Sequence, residues 1–112
     1  MQLITAIIKP HQLDQVRQGL TDAGVTGMTI TEVKGFGRQG GHAETYRGAE
    51  YRIDYLPKIE VRILADTGDV DRLIEVLVET ARTGSIGDGK IWVTALDQAI
   101  RVRTGERGPD AI

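Results

Sequence analysis

The residues of this chain best suited to chemistry lie between positions 84 and 90. Gly84-Ser85-Ile86-Gly87-Asp88-Gly89-Lys90 repeats the first seven positions of a Walker A loop. The eighth position fails, because Ile91 stands where a Ser or Thr hydroxyl would reach Mg²⁺. The flanks are also reversed, with helical periodicity before the loop and strand periodicity after it. A P-loop ATPase or kinase is therefore disfavoured. The anion chemistry survives. Three glycines let several backbone N–H groups converge on an oxyanion, and Lys90 adds a point charge. Taken alone, the stretch reads as an ordinary glycine-rich turn.

Arginines elsewhere supply what a turn lacks. In Ile100-Arg101-Val102-Arg103 the alternation places Arg101 and Arg103 together on one side of an extended segment, and two guanidiniums on one face suit bidentate phosphate recognition. The plainer reading is a solvated basic edge. Arg38 offers a third guanidinium within Gly35-Phe36-Gly37-Arg38-Gln39-Gly40, which matches GxGxxG. No helical stripe follows through Gly41-His42-Ala43-Glu44-Thr45, so the dinucleotide-binding reading is rejected. A triphosphate needs a dispersed set of donors of this kind. His11 and His42 lack partners at metal-ligand spacing, and no Ser-His-Asp, HExxH or paired-carboxylate arrangement is recognisable by local spacing.

These groups need elements to hold them. Gln2 to Lys9 reads as a strand with Leu3, Thr5 and Ile7 on one face and Ile4, Ala6 and Ile8 on the other. Apolar residues on both faces predict a central strand covered on both sides. Leu13, Val16, Leu20 and Ala23 form a helical stripe ended by Gly24. Thr26 to Lys34 returns to period 2. In a third strand Ile59, Val61 and Ile63 face one way, and Lys58, Glu60, Arg62 and Leu64 the other. Val70, Leu73, Ile74, Leu77, Val78 and Ala81 make a second helical stripe, and Ile91 to Leu96 a fourth strand. The order predicts an α+β fold, a ferredoxin-like βαββαβ sandwich, as a single domain over 1–112. Residues 36–57 form a long exposed loop between strands 2 and 3, and 97–112 a C-terminal extended segment. That loop carries all three tyrosines, Tyr46, Tyr51 and Tyr55, which favours a binding or modification surface over a mere spacer.

Composition narrows the field further. The 112 residues are 40% hydrophobic and 27% charged, which suits one soluble domain and not a disordered chain. No apolar run approaches the roughly 20 residues that span a bilayer. The N-terminal residues lack a basic lead and an apolar cleavable segment, so no secretory signal is expected. Zero cysteines remove disulfides, thiolate metal sites and thiol catalysis. A net charge of −2 argues against nucleic acid as a partner. A chain this small gains burial by oligomerising.

Four stretches together resemble the PII family of nitrogen-regulatory signal proteins. Tyr46-Arg47-Gly48-Ala49-Glu50-Tyr51 is similar to its modification motif, and Thr83 to Val93 to its C-terminal signature. Lys34 to Gln39 and Arg101 to Gly108 match further family segments, in order and at family spacing.

The resemblance implies a cytoplasmic homotrimer that binds ATP or ADP in the clefts between subunits and is not an enzyme. By similarity the nucleotide set is Ile7, Thr29, Gly35, Gly37, Arg38, Leu64, Gly87, Asp88, Gly89 and Lys90, joined by Arg101 and Arg103 from the adjoining subunit. Ile7, Thr29 and Leu64 would border the adenine. With Mg²⁺-ATP in place, 2-oxoglutarate would complete the metal shell with Gln39, pair with Lys58 and be closed in near Gly41. Tyr51 would accept a nucleotidyl group from a nucleotidyltransferase. Implied partners are an ammonium transporter, which would bring the protein to the membrane, and nitrogen-assimilation enzymes or regulators. Two positions depart from the family pattern: Gly40 replaces a common lysine, and Arg62 a glutamate that usually faces the nucleotide. Arg62 is expected to pair with Glu60, two residues away on the same strand face.

Overall fold

A computed structural model describes residues 1–37 and 54–112. Its principal elements are β1 (Gln2–Ile8), α1 (Leu13–Asp22), β2 (Thr29–Gly35), β3 (Leu56–Ala65), α2 (Val70–Ala81) and β4 (Lys90–Ala95). The strands form a four-stranded antiparallel sheet in the order β2-β3-β1-β4. That order, with both helices on one face, is the expected ferredoxin-like α+β sandwich. Among the described residues no helix is long and apolar enough to cross a membrane.

Strand alternation decides which side chains meet the helices. Ile4, Ala6 and Ile8 of β1 and Val61 and Ile63 of β3 are almost wholly buried beneath Val16, Leu20, Leu73 and Leu77. The helices approach closely at Gly19, where an added Cβ would lie 2.7 Å from Thr80 Cγ2. Gly24, at φ +99°, ends α1. The N–H of Val25 donates to Leu20 O at 3.0 Å and that of Gly24 to Thr21 O at 3.0 Å, a Schellman closure that satisfies the last carbonyls.

β1 is an inner strand as expected, with the helices on one face; across the other face, where Thr5 is also buried, run the cross-strand rows Thr29–Arg62–Thr5–Trp92 and Thr31–Glu60–Ile7–Lys90. Two expectations need correction. The second strand starts at Thr29 and not Thr26, because Thr26 to Met28 make no ladder pairs. The C-terminal segment is not extended. Arg101 N donates to Glu106 O at 2.8 Å and Gly105 N to Arg101 O at 2.7 Å, closing a tight turn that Gly105, at φ +75°, makes possible. Ile100 bridges to Arg107 across this turn, and a 3-10 helix follows at Gly108–Ala111.

Candidate functional site

The glycine loop is shaped against the end of β1. Ile7 pairs with Lys90 at the start of β4, and one residue earlier Gly89 lies directly on the β1 backbone. A Cβ at Gly89 would sit 1.7 Å from Ile7 O, and its φ of +104° already disfavours any side chain. Gly87, at φ +95°, takes a similar backbone conformation. Gly89 is thus demanded by space as well as by turning, and Gly87 by turning.

Four residues lock the loop's other end. Asp88 Oδ2 accepts from the N–H groups of Thr83 at 2.9 Å and Gly84 at 2.8 Å. Thr83 Oγ1 donates to Asp88 Oδ1, and Lys9 Nζ lies 3.2 Å from that same oxygen. These donors, Thr83 Oγ1 foremost, hold the Asp88 carboxyl well below the usual carboxylate range despite partial desolvation. Asp88 was expected among nucleotide contacts. Its carboxylate is engaged inside the loop, which leaves its backbone N–H as the group that would meet a ligand.

Beside the loop lies a cleft of about 540 Å³ lined by Ile7, Gly35, Gly37, Lys58, Gly87, Gly89 and Lys90, all expected site residues. Lys58 is buried, and its Nζ donates to Gly87 O at 2.6 Å. Burial first, then the charge of Lys9, lower its pKa, while Asp88 opposes them. Gly35 lets the lysine stem lie against β2, since a Cβ there would come 3.2 Å from Lys58 Cγ. Two ammonium groups and a glycine loop thus face apolar walls that include Phe36, Leu56, Ile86 and Trp92. Such a cleft suits a ligand with one anionic end and one flat apolar end. Its rim is also the root of the long loop, where the rings of Phe36 and Tyr55 meet at 6.3 Å between centroids.

The remaining expected residues are divided. Thr29 and Leu64 line a separate cleft of about 560 Å³ with Arg62, Met28 and the C-terminal Ile112. Arg101 and Arg103 line neither cleft; Arg101 Nη1 is 2.5 Å from Glu106 Oε1, and Arg103 is exposed. Arg38, Gln39, Gly40, Gly41 and Tyr51 lie outside the described residues. Arg62 Nε does pair with Glu60 Oε2, at 3.0 Å, as expected. Sequence reasoning missed Lys9, whose partner Thr83 is 74 residues away, and it gave Thr83 no role of its own. It also missed the apolar walls. Trp92 carried a readable signal, being the large residue on the strand face opposite the half-buried Ile91 and Val93.

A family model described as nitrogen regulatory protein P-II matches residues 1–106. The chain is 58% identical over 112 residues to the nitrogen regulatory protein P-II of Pasteurella multocida. It is 55% identical to that of Rhodospirillum rubrum and 54% identical to nitrogen regulatory protein P-II 1 of Escherichia coli K12. Each alignment covers 100% of both chains.

Proposed function

The chain belongs to the nitrogen regulatory protein P-II family, and on that premise we propose that it senses ATP or ADP together with 2-oxoglutarate. It is a nitrogen-regulatory signal protein, and it acts on targets of nitrogen metabolism. The observation that carries the ligand reading is the cleft in which Gly87, Gly89, Lys90 and Lys58 converge. Backbone N–H groups and ammonium ions suit phosphates and carboxylates, and the apolar walls suit a base.

The split of the expected residues supports a site built between copies. Ile7 and Lys90 lie at one cleft of the chain, Thr29 and Leu64 at another. One nucleotide would meet both sets where the first cleft of one subunit faces the second cleft of another, and a closed ring of three would satisfy every such edge. Arg101 and Arg103 would join from the adjoining subunit.

The described residues fit the anions. They hold no cluster of three or more His, Cys, Asp or Glu side chains, so ligand oxygens and Gln39 would complete a magnesium shell. When bound, that ion supplies the charge that lets a dicarboxylate sit beside a triphosphate. ATP and 2-oxoglutarate must then strengthen each other's binding equally. Phe36, Gly37 and Leu56, at the two roots of the long loop, line the same cleft. Ligand state can therefore bias the loop's ensemble, which in turn presents or withholds a surface. Ammonium transporters and nitrogen-assimilation enzymes or regulators are the targets that this device would control, with nucleotidylation at Tyr51 as a second input.

Titration calorimetry tests the reading. ATP and ADP should both bind, and 2-oxoglutarate should bind only with ATP and Mg²⁺ present. Binding of 2-oxoglutarate that ignores ATP, or no nucleotide binding at all, would overturn it.

A further inference from the structure

Each polar atom of the Asp88 carboxylate is already committed. Oδ1 takes Thr83 Oγ1 and Lys9 Nζ, and Oδ2 takes the N–H groups of Thr83 and Gly84. Thr83 Oγ1 is equally occupied, accepting from Lys9 Nζ at 3.1 Å and from Ser85 N at 3.3 Å while donating to Asp88. The Lys9 side chain is 11% exposed, so its charge is turned inward and matched by Asp88. Together these contacts tie the end of β1 to both ends of the glycine loop. Ile7 O limits the loop from one side through Gly89, and Lys9 anchors it from the other.

We infer that the side chains of Asp88, Thr83 and Lys9 are positioning groups for the anion cleft, shaping the glycine loop without themselves touching the ligand. This inference rests on the nucleotide reading above. Its physical content is pre-organisation. The loop N–H groups face an anion only while the backbone between 83 and 89 keeps its turns, and the carboxylate holds that backbone in shape. A negative charge beside a phosphate site would otherwise be a liability.

That liability makes the test sharp, because the two effects of Asp88→Asn have opposite signs. Removing a nearby negative charge should by itself tighten ATP. Replacing one oxygen by an NH₂ orphans the donors it served, so positioning requires a loss of about tenfold in ATP affinity. The neutral, isosteric Thr83→Val changes no charge and should also weaken ATP, by about fivefold, whereas Thr83→Ser restores the hydroxyl and the affinity. Calorimetry on the full chain with Mg²⁺-ATP, paired with circular dichroism of the helices, reads all four proteins. Unchanged or tighter ATP binding by a folded Asp88→Asn overturns the inference alone. Should that variant not fold, Thr83→Val at wild-type affinity overturns it instead. A Thr83→Ser variant as weak as Thr83→Val also counts against it, since the hydroxyl would then not be the cause. A wild-type chain that binds no ATP overturns the nucleotide reading, and this inference with it.

Discussion

Arg62 and Glu60 share a strand face on β3, with Arg62 Nε 3.0 Å from Glu60 Oε2. The pair sits where the rows Thr29–Arg62–Thr5 and Thr31–Glu60–Ile7 cross the helix-free face of the sheet. Arg62 is half exposed, so the pair contributes little to stability, on the order of 0.2–1 kcal/mol. Its importance is chemical. Glu60 offsets the charge of a guanidinium that lines the cleft of Thr29 and Leu64.

Arg62→Glu should tighten ATP and ADP by a similar, modest factor. Arginine has donors only, whereas a glutamate accepts from ribose hydroxyls that both nucleotides carry. Parallel titrations check this. A change confined to ATP would place Arg62 at the γ-phosphate, and equal weakening of both would show that arginine already makes a favourable contact.

Lys90→Ala should weaken ATP while leaving the oligomer intact. Lys90 is exposed at the head of β4, and one charge-assisted phosphate contact contributes about 1.5–3 kcal/mol. Calorimetry and analytical ultracentrifugation of the same sample separate binding from assembly. Unaltered affinity would remove this lysine from the site.

Gly89→Ala should be far more damaging than Gly84→Ala. At Gly89 the new methyl meets Ile7 O at 1.7 Å, so β4 must part from β1 or the loop must be rebuilt. Gly84 faces open space, and its φ of +88° alone would cost about 1 kcal/mol. Thermal melts should show a large drop for the first variant and a small one for the second. Similar melting temperatures would mean that the loop does not press on β1 in solution.

Asp88 should give the protein an acid-side stability slope. Its carboxyl is held below the usual range, chiefly by Thr83 Oγ1, so the unfolded chain takes up the proton first. The stabilisation is complete above the unfolded-state value, about 3.9 for aspartate, and is lost as pH falls through the lower folded value. Denaturation of wild type and Asp88→Asn across pH 2 to 7 (roughly the span of carboxylate titration) should show a difference that shrinks toward acid. A constant gap would rule out this linkage.

Tyr51→Phe should abolish nucleotidylation and leave ATP binding unchanged, since phenylalanine offers no oxygen nucleophile. Intact-mass measurement after incubation with a modifying nucleotidyltransferase decides. A nucleotidyl adduct on the variant would move the site, with Tyr46 the nearest rival.

Local periodicity was enough to read both helices, the four strands and the close of α1 at Gly24, because each depends on neighbours within a few residues. The Arg62–Glu60 pair was legible for the same reason, as two residues on one strand lie on one face. Alternation misled at Ile100 to Arg103, where the Thr104-Gly105 turn signal outweighed a short strand-like pattern. What only tertiary structure decided is who meets whom across the chain. The β1–β3 register sets Ile7 opposite Glu60 and Leu64 opposite Leu3, so Ile7 and Leu64 stand about four strand residues apart, some 13 Å. That separation divides the expected adenine contacts between two clefts, although all three lie on the helix-free face of the sheet. Likewise Lys9 reaches Thr83 and Asp88 only because β4 returns beside β1. Periodicity records which way a side chain points; the pairing of distant strands determines what it finds there.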